Sequence, residues 1–251
     1  MKSETTLKNL SPEATLNQII SADEDTPQLL QSIGLNPNVD TEKTLRQVCF
    51  EKQWNEAELL NWIKKNRSSN TAIQNNGSKQ KKKLPDFTSI TEITEYLTSE
   101  SLSTVSDLSS QIQNNYKRVS QVHGIQYPWL KEAEWHVFQL INTLSFYKKF
   151  ETETFYPLAG ELQKQKERML DGNVQNLKRS MDVVKEDHKQ MKKSLQRIKK
   201  MSGDFHFDES ACSTLRILCN RLQSLHRTLS DHLKIEQEKL LPKIETKLEN
   251  S

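Results

Sequence analysis

Residues 144–157, LSFYKKFETETFYP, and residues 229–242, LSDHLKIEQEKLLP, are imperfect copies of one another. Aligned without gaps, the two stretches share Leu, Ser, Lys, Glu, Glu and Pro at the same six places. Positions four residues apart lie above one another on the same face of a helix. Each copy places a polar, ligand-capable pair at this spacing: Tyr147 with Glu151, and His232 with Glu236.

The spacing of apolar residues predicts that these pairs face inward on amphipathic helices. In the last helical segment an inward stripe runs through Leu218, Leu222, Leu225, Leu229, His232, Glu236 and Leu240. The preceding segment has the same spacing in Val174, Leu177, Met181, Val184, His188, Met191, Leu195 and Ile198. The segment with the first copy gives Ala133, Val137, Leu140, Leu144, Tyr147, Glu151, Thr154 and Leu158. Three predicted helices therefore direct polar groups toward one shared interior.

Two glutamates in one interior require compensation, because buried carboxylates are costly unless they are paired, hydrogen-bonded or bound to metal. A cation between Glu151 and Glu236 would remove their mutual repulsion, and imidazole together with carboxylate suits iron or zinc. The alternative is a metal-free hydrogen-bond network of tyrosine, glutamate and histidine that fixes the helix register. The residues by themselves leave both interpretations open.

Composition favours a helical protein and excludes several classes. The 251 residues include only 6 Gly and 7 Pro, and the three cysteines lack a ligand-like C-x-x-C spacing. A net charge of +3 is too small to indicate a nucleic-acid partner. The sequence contains no apolar run long enough to span a membrane, and its N-terminus, MKSETTLKNL, lacks the apolar segment of a signal peptide. We therefore expect a cytoplasmic protein without a membrane partner.

The pattern predicts an all-α chain with two helical parts. Residues 14–66 read as a small helical domain, which we expect to pack on the rest of the chain or on a second copy in a homodimer. Residues 67–84 have the composition of a flexible linker. Residues 85–248 predict four long helices with short connections, for which an up-down-up-down four-helix bundle is the economical arrangement.

The residues of the predicted bundle resemble the hemerythrin-like domain. The resemblance rests on the His-x-x-x-Glu pair of the fourth helix, its imperfect copy on the second, the E-D-H sequence ending at His188, and a Pro six residues after each glutamate. The N-terminal pattern TLNQIISADEDTPQLLQSIGL…TEKTLRQVC is similar to the short domain that precedes this bundle in the iron–sulfur cluster repair di-iron proteins. Together these stretches cover nearly the whole chain.

The resemblance implies a non-haem iron centre of one or two ions. The family's metal ligands match five residues here: His123, Glu151, His188, His232 and Glu236. Two ligand histidines are replaced, by Leu102 on the first helix and by Tyr147 on the second. Leucine cannot coordinate, whereas Tyr147 is either a further ligand or a core tyrosine hydrogen-bonded to Glu151. The family's N-terminal cysteines and glycines are replaced as well, by Asn38, Val39, Asp40 and Thr41.

By resemblance, the chain would serve in the response to oxidative or nitrosative damage. Its expected partners are O2, NO or peroxide at the metal, and damaged iron–sulfur proteins. The missing ligands favour an incomplete or mononuclear metal site over a complete di-iron centre. They also leave a second hypothesis, a metal-free bundle that acts as a binding or regulatory module. A metal-dependent oxidase is a third alternative, but the sequence gives no sign of a substrate pocket.

Overall fold

The computed structural model describes residues 10–23, 25–36, 38–39, 41–67, 86–164 and 171–249. Over these ranges the regular secondary structure is helical, without a β-strand, and one isolated antiparallel bridge joins Thr15 to Thr44. The predicted all-α class is confirmed. The predicted linker, 67–84, lies outside the described residues apart from Arg67, and the division into two domains stays a prediction.

Four short helices form the N-terminal region: α1 (Leu16–Ser21), α2 (Thr26–Ser32), α3 (Leu45–Glu51) and α4 (Glu56–Arg67). Thr15 and Thr44 each begin a helix with a capping box, in which the threonine hydroxyl and a glutamine three residues later satisfy each other's backbone N–H groups. The apolar faces of these helices share one core cluster, which also takes in Ile217 from the C-terminal part of the chain.

Arg216 is one of the polar connections between the N-terminal region and the rest of the structure, together with the Asn55–Ser213 and Thr214–Glu58 hydrogen bonds. Its buried guanidinium donates hydrogen bonds to four carbonyl oxygens, those of Ile33 (3.0 Å), Asp208 (3.1 Å), Glu209 (2.8 Å) and Ala211 (2.7 Å). The same group lies over the rings of Trp54 and Phe207, at 5.2 and 4.8 Å from their centroids. These contacts hold the N-terminal helices against the beginning of the last long helix.

The rest of the described chain consists of four helical rods. The first, 90–123, contains α5 (Ile90–Tyr96) and α6 (Ser103–His123), and the second, 129–164, contains α7 (Trp129–Phe150) and α8 (Tyr156–Lys164). The third is α9 (Asp171–Met201), and the fourth, 213–249, contains α10 (Ser213–Ile235) and α11 (Leu241–Glu249). Three rods are continuous through π-helical segments at Leu97–Leu102, Glu151–Phe155 and Glu236–Leu240. None of the described helices is both long and apolar enough to cross a membrane.

Contacts between the rods close a ring: α6 packs on α7, α7 on α9, α9 on α10, and α10 on α6. Side-chain contacts show that α6 and α10 run in opposite directions, because Ser101 meets His232 at one end while His123 meets Cys212 at the other. The third and fourth rods are also antiparallel, since His188 meets Glu236 and Lys185 meets Glu245 farther along.

Two apolar clusters fill the interior of this ring, and polar residues lie between them. Along α9, Met191 belongs to one cluster and Val184 to the other, with His188 between. On the second rod, Glu151 lies in the same way between Tyr147 and Phe155. We call the buried polar residues at this level the polar layer: Tyr147, Glu151, His188, His232 and Glu236.

The predicted inward stripe on the second rod is correct as far as Glu151 and wrong beyond it. Thr154 is exposed and Leu158 is only half-buried, whereas Phe155, Tyr156 and Ala159 are buried. The π-helical segment that begins at Glu151 adds one residue to the turn, so every later position rotates on the helix surface. Spacing rules for an α-helix cannot anticipate that shift.

Candidate metal centre

Each glutamate of the polar layer begins a π-helical segment, Glu151 on the second rod and Glu236 on the fourth. A third π-helical segment, Leu97–Leu102, runs beside them on the first rod. Such wide turns are rare in proteins and occur frequently at functional sites. The duplicated sequence therefore corresponds to a duplicated local structure, and both copies direct a carboxylate into the interior.

Glu236 is the best-connected member of the polar layer. Its Oε2 atom lies 2.9 Å from His188 Nε2 and 3.3 Å from His232 Nε2, and it also accepts a short hydrogen bond from the Tyr147 hydroxyl. The Tyr156 hydroxyl donates to Oε1 at 2.8 Å. Side chains from three rods thus converge on one fully buried carboxylate.

Glu151 is as deeply buried as Glu236 but lacks its partners. Neither of its carboxylate oxygens has a hydrogen-bond partner, although the side chain is 0% exposed. His232 lies close to it, with its Nε2 atom 3.4 Å from Oε2 of Glu151. A buried polar group without a partner costs free energy, so Glu151 is the energetically least satisfied member of the polar layer.

His232 faces both glutamates with one ring nitrogen and the first rod with the other. Its Nε2 atom has no hydrogen-bond partner, although it lies close to both carboxylates. Its Nδ1 atom lies 2.9 Å from the hydroxyl oxygen of Ser101. This hydrogen bond orients the ring so that Nε2 points at the two carboxylates.

Charge in the polar layer is distributed unequally between the two glutamates. Burial raises the pKa of Glu151 well above its ordinary value, and the charge of Glu236 raises it further. Burial also opposes ionisation of Glu236, but His232 and His188 outweigh it and hold the pKa of Glu236 well below its ordinary value. Burial lowers the pKa of His232, whereas Glu236 and Glu151 raise it more strongly, to about 10. Without a metal ion, a His232–Glu236 ion pair therefore stands beside a neutral Glu151.

Tyr147 is hydrogen-bonded within the polar layer, but not to the partner that we expected. Its hydroxyl oxygen lies 2.9 Å from His188 Nε2 and donates to Glu236, rather than to Glu151. Burial raises the pKa of this phenol well above its ordinary value, with further contributions from Glu151 and Glu236. In the metal-free protein Tyr147 is therefore a neutral hydrogen-bond donor.

Two residues of the site escaped the sequence interpretation, Ser101 and Tyr156. Ser101 precedes Leu102, which the resemblance matched to a ligand histidine and which is buried in an apolar cluster. Tyr156 lies five residues after Glu151, and this spacing shares a helix face only in a π-helical turn. A search for α-helical spacing from Glu151 does not find Tyr156, whereas Ser101 lies four residues before Val105 and continues the inward stripe of the first rod, a signal that could have found it.

The structure does not bring His123 to the polar layer. Its Nε2 atom lies 3.0 Å from the sulfur of Cys212, the residue that caps the start of α10. At about 1.5 Å of rise per residue, the helix between Cys212 and His232 separates His123 from the polar layer by about 30 Å. His123 therefore does not lie with the other four residues that the resemblance matched to metal ligands, because α6 carries it toward the opposite end of the rods.

The remaining residues fit a metal ion of modest coordination number. Ligand atoms of Glu151, His188 and Glu236 all lie within 4.8 Å of one another and are buried. His232 Nε2 adds a fourth nitrogen or oxygen donor next to both carboxylates. Carboxylate and imidazole are ordinary ligands of iron and zinc, and the unpartnered atoms of Glu151 and His232 are those that a metal ion would satisfy.

Comparison with known proteins gives a distant relationship. No family model matches the chain. Proteins from two strains of Staphylococcus epidermidis, both named iron–sulfur cluster repair protein ScdA, are each 24% identical to it over 162 residues. The alignment covers 64% of this chain and 69% of each relative. The chain is therefore a distant relative of iron–sulfur cluster repair proteins.

Proposed function

We propose that this chain is a hemerythrin-like, non-haem iron-binding protein that is related to the iron–sulfur cluster repair proteins. In this proposal the four antiparallel rods form an up-down-up-down four-helix bundle preceded by a small N-terminal domain. Its role would lie in the response to oxidative or nitrosative damage, with damaged iron–sulfur proteins as partners. The similarity to two repair proteins supports the biological role, and the geometry of the polar layer supports metal binding.

One observation carries the metal proposal, the fully buried carboxylate of Glu151 with neither oxygen hydrogen-bonded. Glu151, His188 and Glu236 would hold the ion, and His232 would bind it through the unpartnered Nε2 atom. A bound iron ion would supply an open coordination position for O2, NO or peroxide. Tyr147 and Tyr156 would keep Glu236 oriented, because both hydroxyl groups donate to its carboxylate.

We further propose a mononuclear site. Two ions in a helical-bundle core are typically held by four carboxylates and two histidines. The polar layer offers two carboxylates and two imidazoles, while Leu102 contributes only apolar surface and Tyr147 is already engaged with His188 and Glu236. One ion can be satisfied by the four available donors together with solvent.

A metal-free binding or regulatory module is the second candidate. It is favoured by the hydrogen bonding of Glu236. Both oxygens of this carboxylate already have partners, namely Tyr147, Tyr156 and His188. A network of this kind fixes the register of the rods without any ion. On this hypothesis Glu151 is a buried neutral acid, in keeping with the raised pKa that burial gives it.

Metal analysis separates the two candidates. The protein is purified without added metal, its iron and zinc contents are measured, and the metal-free form is then titrated with Fe²⁺ under exclusion of oxygen. We expect binding of one Fe²⁺ per chain and loss of that binding in the His188→Leu variant. A protein that binds no Fe²⁺, or a variant that binds it as well as the original chain, would overturn the metal proposal in favour of the metal-free module.

A further inference from the structure

A cleft of about 480 Å³ lies on the outer surface between α7 and α9, away from the polar layer. Residues of α7 that line it include Trp135 and His136, and residues of α9 include Lys189, Lys193 and Arg197. Trp135 is 66% exposed, which is unusual for the largest apolar side chain. Tryptophan and arginine are enriched in the hot spots of protein–protein interfaces, so an exposed tryptophan next to an arginine in a cleft indicates an interaction surface.

The cleft carries positive charge that the described part of the chain does not neutralise. Glu186 also lines the cleft, but its carboxylate is paired with Lys189 at 3.1 Å. Lys193 and Arg197 have no carboxylate partner among the described residues. Burial lowers the pKa of His136, and the charge of Arg197 lowers it further, so this imidazole is neutral at neutral pH.

The spacing of the two cations suits a short peptide. Lys193 and Arg197 lie one above the other on α9, about 6 Å apart along its axis. In an extended peptide, side chains two residues apart point the same way and are separated by about 6.6 Å. A segment with two acidic residues two positions apart could therefore meet both cations, while an apolar side chain farther along the same face reaches Trp135.

Nucleic acid fits this surface less well than an acidic peptide. Nucleic-acid binding rests on several phosphate contacts, commonly about six to ten, whereas only two unneutralised cations line this cleft. The net charge of the whole chain is only +3, which provides little attraction over a long distance. The exposed ring also favours an occupant with apolar side chains.

We propose that the cleft between α7 and α9 is a docking site for an acidic segment of a partner protein, which places an apolar side chain on Trp135 and two carboxylates on Lys193 and Arg197. This inference goes beyond iron binding and does not depend on the occupancy of the polar layer. A second, more distant aromatic residue, Phe146, is 77% exposed on the same face of α7 and would extend the contact surface.

The test uses a short synthetic peptide with two aspartates two positions apart, followed on the same face of the extended chain by leucine and phenylalanine. It is titrated into the full-length, metal-free protein while the indole N–H signal of Trp135 is followed by NMR. We expect this signal to shift on binding, and we expect the double variant Lys193→Glu, Arg197→Glu to bind at least about tenfold more weakly. Trp135→Ala should weaken binding to a similar extent.

Matched controls place the same changes elsewhere. Lys178→Glu with Arg179→Glu reverses two exposed charges earlier on α9, outside the cleft, and Phe50→Ala removes an aromatic ring that is 85% exposed on α3. Both controls should bind the aspartate peptide as the original chain does. If the controls also lost binding, the effect would come from net charge or from nonspecific hydrophobic contact. That result would overturn the proposal.

Three further outcomes would also overturn it. The first is an unmoved Trp135 signal, and the second is equal binding of a peptide with lysine in place of aspartate. In the third, single-stranded DNA shifts the Trp135 signal while the acidic peptide does not, which would assign the cleft to nucleic acid. Sedimentation gives a separate check, because a dimer that Trp135→Ala dissociates would assign the cleft to a second copy of this chain.

Discussion

The Nδ1 atom of His232 on the fourth rod lies 2.9 Å from the hydroxyl oxygen of Ser101 on the first rod. Both residues are buried, and the contact aims the other nitrogen of the imidazole at two carboxylates. In proteins that bind metal, a hydrogen bond of this kind fixes the orientation of a ligating histidine. Ser101 is thus a positioning residue for the proposed metal centre.

Replacing Ser101 by alanine should lower the affinity for Fe²⁺ by about 10- to 100-fold, because the imidazole of His232 loses its orienting partner. Ser101→Thr retains the hydroxyl group and should recover part of the affinity. The measurement is a competitive Fe²⁺ titration against a chelator of known affinity. Ser110→Ala is the control, since that exposed hydroxyl bonds only to a carbonyl of its own helix. Equal affinities in the original chain and Ser101→Ala would contradict the assignment.

Replacing Glu151 by methionine should change stability and metal binding in opposite directions. The variant removes a buried carboxylate whose two oxygens have no hydrogen-bond partner and substitutes an apolar chain of similar length. We expect the metal-free protein to gain about 1 to 3 kcal/mol of unfolding free energy, measured by urea denaturation, while Fe²⁺ binding is lost. A variant that keeps its Fe²⁺ affinity would show that Glu151 is not a ligand.

Gly34→Ala should destabilise the protein by about 1 to 3 kcal/mol, measured by the same urea denaturation. Gly34 has a φ of +78°, and a Cβ atom there would lie 2.2 Å from Nη1 of Arg216, which donates to the neighbouring carbonyl of Ile33. Gly160→Ala in α8 is the matched control, because a Cβ atom at that position meets nothing within 4 Å. That control should leave stability unchanged or raise it by about 0.5 to 1 kcal/mol. Equal effects at the two positions would refute the role assigned to the Gly34–Arg216 contact.

Two buried arginines of α10 should respond differently to replacement by methionine. Arg216 and Arg221 are each 7% exposed, but Arg216 donates to four carbonyl oxygens, whereas Nε and Nη1 of Arg221 have no partner. Arg216→Met should lower the unfolding free energy by about 3 kcal/mol, because it leaves buried carbonyl groups unsatisfied. Arg221→Met should be neutral or stabilising, since it removes two buried N–H groups that have no hydrogen-bond partner and puts an apolar chain in their place. Thermal unfolding of both variants measures the contrast, and a larger loss for Arg221→Met would be inconsistent with it.

Much of the polar layer could be predicted from the sequence, because residues that project inward from an α-helix repeat every three or four positions. His188, His232, Glu236 and Glu151 all continue such stripes, and the structure buries each of them between apolar neighbours. The helical class follows from the same repeats and from the scarcity of glycine and proline. These features depend on positions within one segment, so no knowledge of packing is needed to find them.

Only the tertiary structure decided which side chains meet across the rods. The π-helical turn that begins at Glu151 brings in Tyr156 and exposes Thr154, because one extra residue in the turn rotates everything that follows. His123 lies at the far end of α6, where only the three-dimensional path of the helix could place it. The pairing of Tyr147 with Glu236 rather than Glu151 likewise depends on the distance between rods. A linear sequence specifies the face of each helix, but distances between helices arise from the packing of all four rods together.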